Sequence, residues 1–237
     1  MPEIHPYYEA HRPAMEASMH QRLDLMTDLL EARLGQTEAT AAKQDIMAEF
    51  ETVLAQTPYV GGTASRMTDF FMRLIGFMAI GRVLQRRGIP PDAIGQIELH
   101  SFERQMLAIP EQDRMQAGRQ FMSPENRVLI RQQAIESQNR THEGDFIYEY
   151  VEPGPNDTFD FGIDYSACGF CQFAARHDDA GILKNLCGLD HASYALRGIH
   201  MDRTQTLAGG APHCDFRFTS TPAIAPTPTT PQPGDPR

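Results

Sequence analysis

All four cysteines of the chain, Cys168, Cys171, Cys187 and Cys214, lie between Phe159 and Phe218, among several Asp, His and Arg residues. Thiols, carboxylates and guanidinium groups at this density could attack an electrophilic carbon, hold a soft metal ion, exchange disulfides or grip a small anion. Cys168 follows an alternating segment that ends near Tyr165, which places it at the start of a predicted helix. There the free backbone N–H groups and the positive end of the helix dipole favour a thiolate. Cys187 precedes Asp190 and His191 by three and four residues, so the three share a helical face. Cys214 is in phase with Phe216 and Phe218 on a predicted strand and should point inward. Three elements could thus bring Cys168, Cys187, Asp190 and Cys214 together.

Each feature also has a plainer reading. A buried cysteine is commonly a small hydrophobe, and Asp190 and His191 could simply solvate a helix face. The pair Cys168-Gly169-Phe170-Cys171 could be a redox couple or half of a zinc site. A zinc ribbon needs a second such pair, however, and Cys187 and Cys214 stand singly. A thioredoxin-like couple would follow a strand of a parallel sheet, whereas this end of the chain reads as antiparallel hairpins. Arg203 and Arg217 fall on strands in opposite phase. Arg203 shares a face with Met201 and Leu207, a costly burial unless it meets an anion. It is therefore the better carboxylate clamp of the two.

The elements that must position these groups divide the chain at about residue 143. Met15, Met19, Leu23, Met26, Leu30 and Leu34 make an apolar stripe along one predicted helix over 7–34, with Pro13 near its start and Gly35 past its end. Further helices are predicted over about 38–56, 63–87, 91–108 and 111–140. The third of these is apolar nearly all round, the mark of a central helix. Ser123-Pro124-Glu125 inside the last reads as an N-cap and first turn. After Gly144 the period changes to two. Strands are predicted over 146–151 and 159–165, helices over 169–176 and 179–196, and a second hairpin over 199–207 and 213–219. The fold class is α+β: a helical region, 1–143, integrated with a small, mostly antiparallel motif-bearing region, 144–219. The Pro/Thr-rich stretch from Ser220 to Arg237 is expected to be a disordered tail.

The net charge of −10 argues against a nucleic-acid surface, since phosphate binding needs concentrated Lys and Arg. It leaves room for a small anionic substrate held by a few arginines. The longest apolar run, Leu74–Gly81, is too short to span a bilayer, and no secretory leader is evident at the N-terminus. A cytoplasmic location with reduced thiols is expected. The long amphipathic N-terminal helix makes a homo-oligomer an expectation, its stripe available to a partner.

Four segments in order, Asp164-Tyr165-Ser166-Ala167-Cys168, Leu186-Cys187-Gly188-Leu189-Asp190, Arg203-Thr204-Gln205-Thr206-Leu207-Ala208-Gly209-Gly210 and Cys214-Asp215-Phe216-Arg217-Phe218, resemble the L-2-amino-thiazoline-4-carboxylic acid hydrolase family. The similarity is carried by residues 145–218, with a looser fit before them. The family pattern does not require Cys171, which marks that residue as the dispensable cysteine. The resemblance implies hydrolytic opening of a five-membered cyclic amidine bearing a carboxylate, giving an N-carbamoyl amino acid. Such chemistry needs a nucleophile, a base and a donor to the leaving atom. On this reading Cys168 is nucleophile or ligand, and Asp190 or Asp164 the general base. Arg203 grips the substrate carboxylate, Thr204 and Thr206 orient it, and His191 lies beside it. The alternative is metal-assisted: Cys168, Cys187, Cys214 and Asp190 would hold Zn²⁺ or Fe²⁺ and activate water. Two further readings stay open: a ring opener acting on another heterocycle (a lactam, a hydantoin-like ring or an imidazoline), and a non-catalytic small-molecule sensor.

Overall fold

The structure, a computed structural model, describes residues 3–65, 67–139 and 141–220; the Pro/Thr-rich segment 221–237 lies outside the described residues. Seven helices come first: α1 (Pro6–Leu25), α2 (Thr27–Leu34), α3 (Gln36–Gln56), α4 (Thr68–Arg86), α5 (Pro91–Leu107), α6 (Glu111–Met122) and α7 (Pro124–Ser137). Strands β1 (Ile147–Val151) and β2 (Phe161–Ala167), helices α8 (Gly169–Arg176) and α9 (Ala180–Ala195), and strands β3 (Ile199–Asp202) and β4 (Cys214–Ser220) follow. The class is α+β, as the periodicities require. No helix among the described residues is long and apolar enough to cross a membrane.

Punctuation residues set the boundaries. Ser123 caps α7 by accepting the Asn126 N–H at 3.2 Å, and Pro124 opens the helix where no donor is needed. The stripe expected to run unbroken over 7–34 is interrupted at Met26. Thr27 turns its hydroxyl back to the carbonyls of Leu23 and Asp24, a competition that bends helices. Helix α4 begins at Thr68 rather than near 63. Gly61 and Gly62 both hold positive φ and lead into a short 3-10 turn instead.

Helix α4 is central, with Phe71, Leu74, Ile75, Phe77, Met78, Ile80, Val83 and Leu84 all buried. The N-terminal stripe of Met15, Met19, Leu23 and Leu30 is buried in the same core. It is covered within the chain, by α5, α3 and α4, so it offers no free face for a partner, contrary to the expectation. The sheet is antiparallel throughout, in the order β1-β2-β4-β3. Its inner face presents Tyr148, Phe161, Ile163, Phe218, Ile199 and Met201 to the core. Strand β3 stops at Asp202, short of the expected Leu207, because Asp215 takes the backbone N–H groups of Thr204 and Gln205 at 3.0 and 2.8 Å. Strand β4 in turn runs through Ser220, whose N–H reaches Asp160 at 2.7 Å.

One charge lies wholly inside the helical frame. Glu98 of α5 is fully buried and hydrogen-bonded to Arg22 of α1, and among the described residues its Oε1 has no partner. Burial pushes its pKa up to about 7, against the opposing pull of Arg22. A carboxyl with a raised native pKa binds a proton in the folded state that the unfolded chain has already released. Stability therefore falls as pH rises from the ordinary glutamate range to about 7. The Glu98→Gln variant should gain on the wild type by roughly 2–3 kcal/mol between pH 5 and pH 8. Denaturant melts of both proteins at the two pH values measure this, and a pH-independent difference would contradict it.

Candidate active site

The antiparallel register gathers the chemistry at one end of the sheet. Tyr165 near the end of β2 stands opposite Cys214 at the start of β4, and β3 ends beside them. Cys168 is the N-cap of α8, as its position after the strand predicts. The next residue must be glycine: a Cβ on Gly169 would sit 1.8 Å from the carbonyl oxygen of Gly144. Cys171 follows in the first turn of α8. Helix α9, packed on α8, β3 and α5, supplies Cys187 and Asp190.

Arg203 locks this corner. Its side chain is only 6 % exposed, donating to Asp190 Oδ2 at 2.6 Å and to the Cys187 carbonyl at 2.7 Å. The guanidinium carbon lies 4.9 Å from the centre of the Phe216 ring. Asp190 is closely surrounded by protein, yet 37 % of its side chain stays open. Its carboxylate therefore sits in a recess. Burial raises its pKa above the ordinary carboxylate range, outweighing Arg203.

The thiols differ from one another. The hydrogen bond between the side chains of Cys168 and Cys171 raises the pKa of Cys168 well above that of a free thiol, helped by burial, and lowers that of Cys171. The proton stays on Cys168 and the negative charge favours Cys171. Burial pushes the Cys187 thiol up to about 12, with Asp190 adding to it. Burial also raises Cys214, although Leu207 N–H donates to its sulfur at 3.2 Å. Cys171 acts electrostatically on Cys168, Cys187 and Cys214 alike, so the four sulfurs share one neighbourhood.

A family model, L-2-amino-thiazoline-4-carboxylic acid hydrolase, matches residues 75–218, well over half the chain. The chain belongs to this family. The match reaches back into α4, so the family unit includes the central helix as well as the sheet. The family's name implies hydrolase activity. No curated protein and no solved structure matches the chain.

With the family established, the expected residues can be placed. Cys168, Cys187, Cys214, Asp190 and Arg203 meet at the recess. Asp164 does not: it lies on the outer face of the sheet, paired with Arg217 at 2.6 Å, with the strand layer between it and the cysteines. Arg203 meets an anion, as its buried position demands, but the anion is Asp190 of its own chain. Thr204 gives its hydroxyl to Asp215, and Thr206 accepts the Gly209 N–H at 3.0 Å, so both hold the turn after β3. His191 is exposed. The thiolate expected at Cys168 shifts one turn along, because the Cys171 sulfur takes the hydrogen bond. Cys171, read as dispensable, is thus the sulfur whose ionisation is favoured.

As a ligand set the cysteines do not fit a metal ion in this arrangement. Asp190 is engaged by Arg203, and burial holds the Cys187 and Cys214 thiols protonated. Among the described residues no group of three or more His, Cys, Asp and Glu side chains is placed to hold one.

Two supporting residues escaped the sequence reading. Asp215 organises the turn carrying Arg203; its place inside Cys214-Asp215-Phe216 was the only signal. Arg82 of α4 braces the joint between α8 and α9 through Asp179, with bonds of 2.9 and 2.5 Å to Oδ2, and also binds Glu49 and Gln56 of α3. Nothing local in the sequence links positions so far apart. The thiol order gives a direct check. Iodoacetamide at pH 8 should label Cys171 first and leave Cys187 unmodified, as read by peptide mass spectrometry. Labelling of Cys187 ahead of Cys171 would contradict the assignment.

Proposed function

We propose that the chain opens a small carboxylate-bearing cyclic amidine by hydrolysis, with 2-amino-thiazoline-4-carboxylate as the reference substrate and an N-carbamoyl amino acid as product. The observation that carries this reading is the placement of Cys168 as N-cap and Cys171 in the first turn of α8, in the same neighbourhood as Cys187 and Asp190 and within the segment the family model matches.

The thiolate of the pair attacks the amidine carbon C2 of the ring. The C2–S bond breaks, and the departing ring sulfur takes the proton that Cys168 holds. The substrate is then an open-chain isothiourea on the enzyme sulfur. Asp190, its basicity raised by burial, takes a proton from water, which adds to the same carbon and expels the enzyme thiolate as the urea forms. Asp190 then passes that proton to Cys168, so one water is consumed and both the pair and Asp190 return to their starting protonation. Arg203 holds Asp190 in place and limits the cost of its charge in the recess. Turns built by Asp215 and Thr206 fix Arg203.

The test is direct. Purified protein is incubated with 2-amino-thiazoline-4-carboxylate and the carbamoyl product is followed by mass spectrometry. Wild type should form it. Cys168→Ala, Cys171→Ala and Asp190→Asn should each lower kcat by ~100-fold or more, with Asp164→Asn near wild type. Full turnover by the Cys168→Ala, Cys171→Ala double variant would remove the nucleophile role.

A further inference from the structure

The first turn of α8 carries two thiols with only two residues between them. Cys168 is the N-cap, with extended backbone (φ −127°, ψ 117°), and Cys171 is the third residue of the helix. The Gln172 N–H closes the turn on the Cys168 carbonyl at 3.1 Å. Three positions apart in one helical turn, the two Cα atoms are separated by about 5 Å, inside the roughly 4.4–6.8 Å that a disulfide spans. An extended N-cap throws its side chain back over the first turn toward the third position, the arrangement of a capping box. A bond between the two sulfurs therefore needs side-chain rotation and no backbone movement. The backbone is also held in place, because Gly169 packs against the Gly144 carbonyl.

The other two thiols are placed differently. Cys214 is buried on β4 and receives the Leu207 N–H at 3.2 Å. Cys187 belongs to α9, a separate element, one turn before Asp190. All four thiols are free, and Cys171 is half-buried, open to a small molecule in solution. The negative charge favours Cys171 while Cys168 keeps its proton. Cys171 is thus the attacking sulfur and Cys168 the one that resolves.

We propose that Cys168 and Cys171 are an oxidative modification site, closed to a reversible disulfide by small-molecule disulfides, and that closure shuts the ring-opening site. The Cys171 thiolate attacks one sulfur of the small disulfide, forming a mixed disulfide and expelling one small thiolate. Cys168 gives its proton to that thiolate, and its sulfur attacks the Cys171 sulfur, breaking the mixed bond and expelling the second. Two protein sulfurs are oxidised, and the small disulfide is reduced to a thiol and a thiolate. Excess small thiol reverses the exchange. The effect on activity rests on the ring-opening reading above; formation of the bond does not.

The experiment incubates reduced wild type with glutathione disulfide, quenches it in acid, blocks remaining thiols in denaturant and digests with trypsin without reduction. Cys168 and Cys171 share the tryptic peptide 141–176, whereas Cys187 and Cys214 lie on two others. Peptide 141–176 should appear unblocked and lighter by two hydrogen atoms, with Cys187 and Cys214 blocked, and dithiothreitol should reverse this. Cys168→Ser should instead accumulate one glutathione on Cys171, and Cys171→Ser should react at least ~10-fold more slowly. A cross-link from peptide 141–176 to either of the others, glutathione retained on the wild type without closure, or an unreacted wild type would each overturn the site. These outcomes are read on the wild type and do not depend on how the variants fold. Turnover is measured on the same samples, and the closed form should lose ring opening by ~100-fold or more and regain it with dithiothreitol. Full turnover by the closed form would overturn the switch. Closure of the pair without ring opening by the reduced wild type would keep the modification site and remove the hydrolase reading.

Discussion

The corner where Arg203 meets Asp190 and the Cys187 carbonyl is the interaction on which the site depends. It joins the exit of β3 to the middle of α9, two elements that otherwise meet through apolar contacts with no directional preference. The guanidinium supplies direction: one arm on a carboxylate, one on a helix carbonyl, its flat face over Phe216. Removing Asp190 would leave the buried Arg203 charge without its carboxylate, at a cost that solvent at the exposed side of Asp190 reduces. The basicity of Asp190 is set by two opposed effects at this corner: burial raises it and the contact with Arg203 holds it down. Without Arg203, Asp190 would ionise less readily.

The helical frame serves this corner at a distance. Arg82 of α4 reaches Asp179 at the joint of α8 and α9 while also holding Glu49 and Gln56, so the helix start bearing Cys168 and Cys171 is braced from the molecule's central element. Gly169 lets that start press against the turn at Gly144. The cysteine pair thus stands on a rigid helix terminus, with its partners on a second helix and a strand. A reaction needing a nucleophile, an acid and a base within one small volume benefits from such preorganisation.

The alternation in Phe159–Tyr165 and the phase of Cys214 with Phe216 were enough to read the strands and the inward cysteine, because a two-residue period survives in the letters. The Ser123-Pro124 cap was legible for the same reason: its physics is local. Convergence of Cys187, Asp190 and Cys214 could be foreseen from helical spacing and strand phase. What could not be read were choices between partners. Nothing in the spacing says that Arg203 would commit its charge to Asp190. Nor does it say that the Cys171 sulfur would compete with the helix dipole for the proton of Cys168. The separation of Asp164 from the cysteines needed the register, which sets which face each residue takes once the neighbouring strands are paired. The end of β3 was missed because a side chain, Asp215, outbid the strand ladder for two backbone donors.

The central claim is that a thiolate of the Cys168–Cys171 pair bonds to the ring carbon during turnover. The measurement that tests it is acid quench within the first turnovers on 2-amino-thiazoline-4-carboxylate, followed by intact-protein and peptide mass spectrometry. The account predicts a transient species heavier by the mass of one substrate, mapped to the peptide carrying Cys168 and Cys171 and absent from the double alanine variant. Product formation at full rate with no adduct at any quench time, in wild type and in that double variant alike, would contradict it.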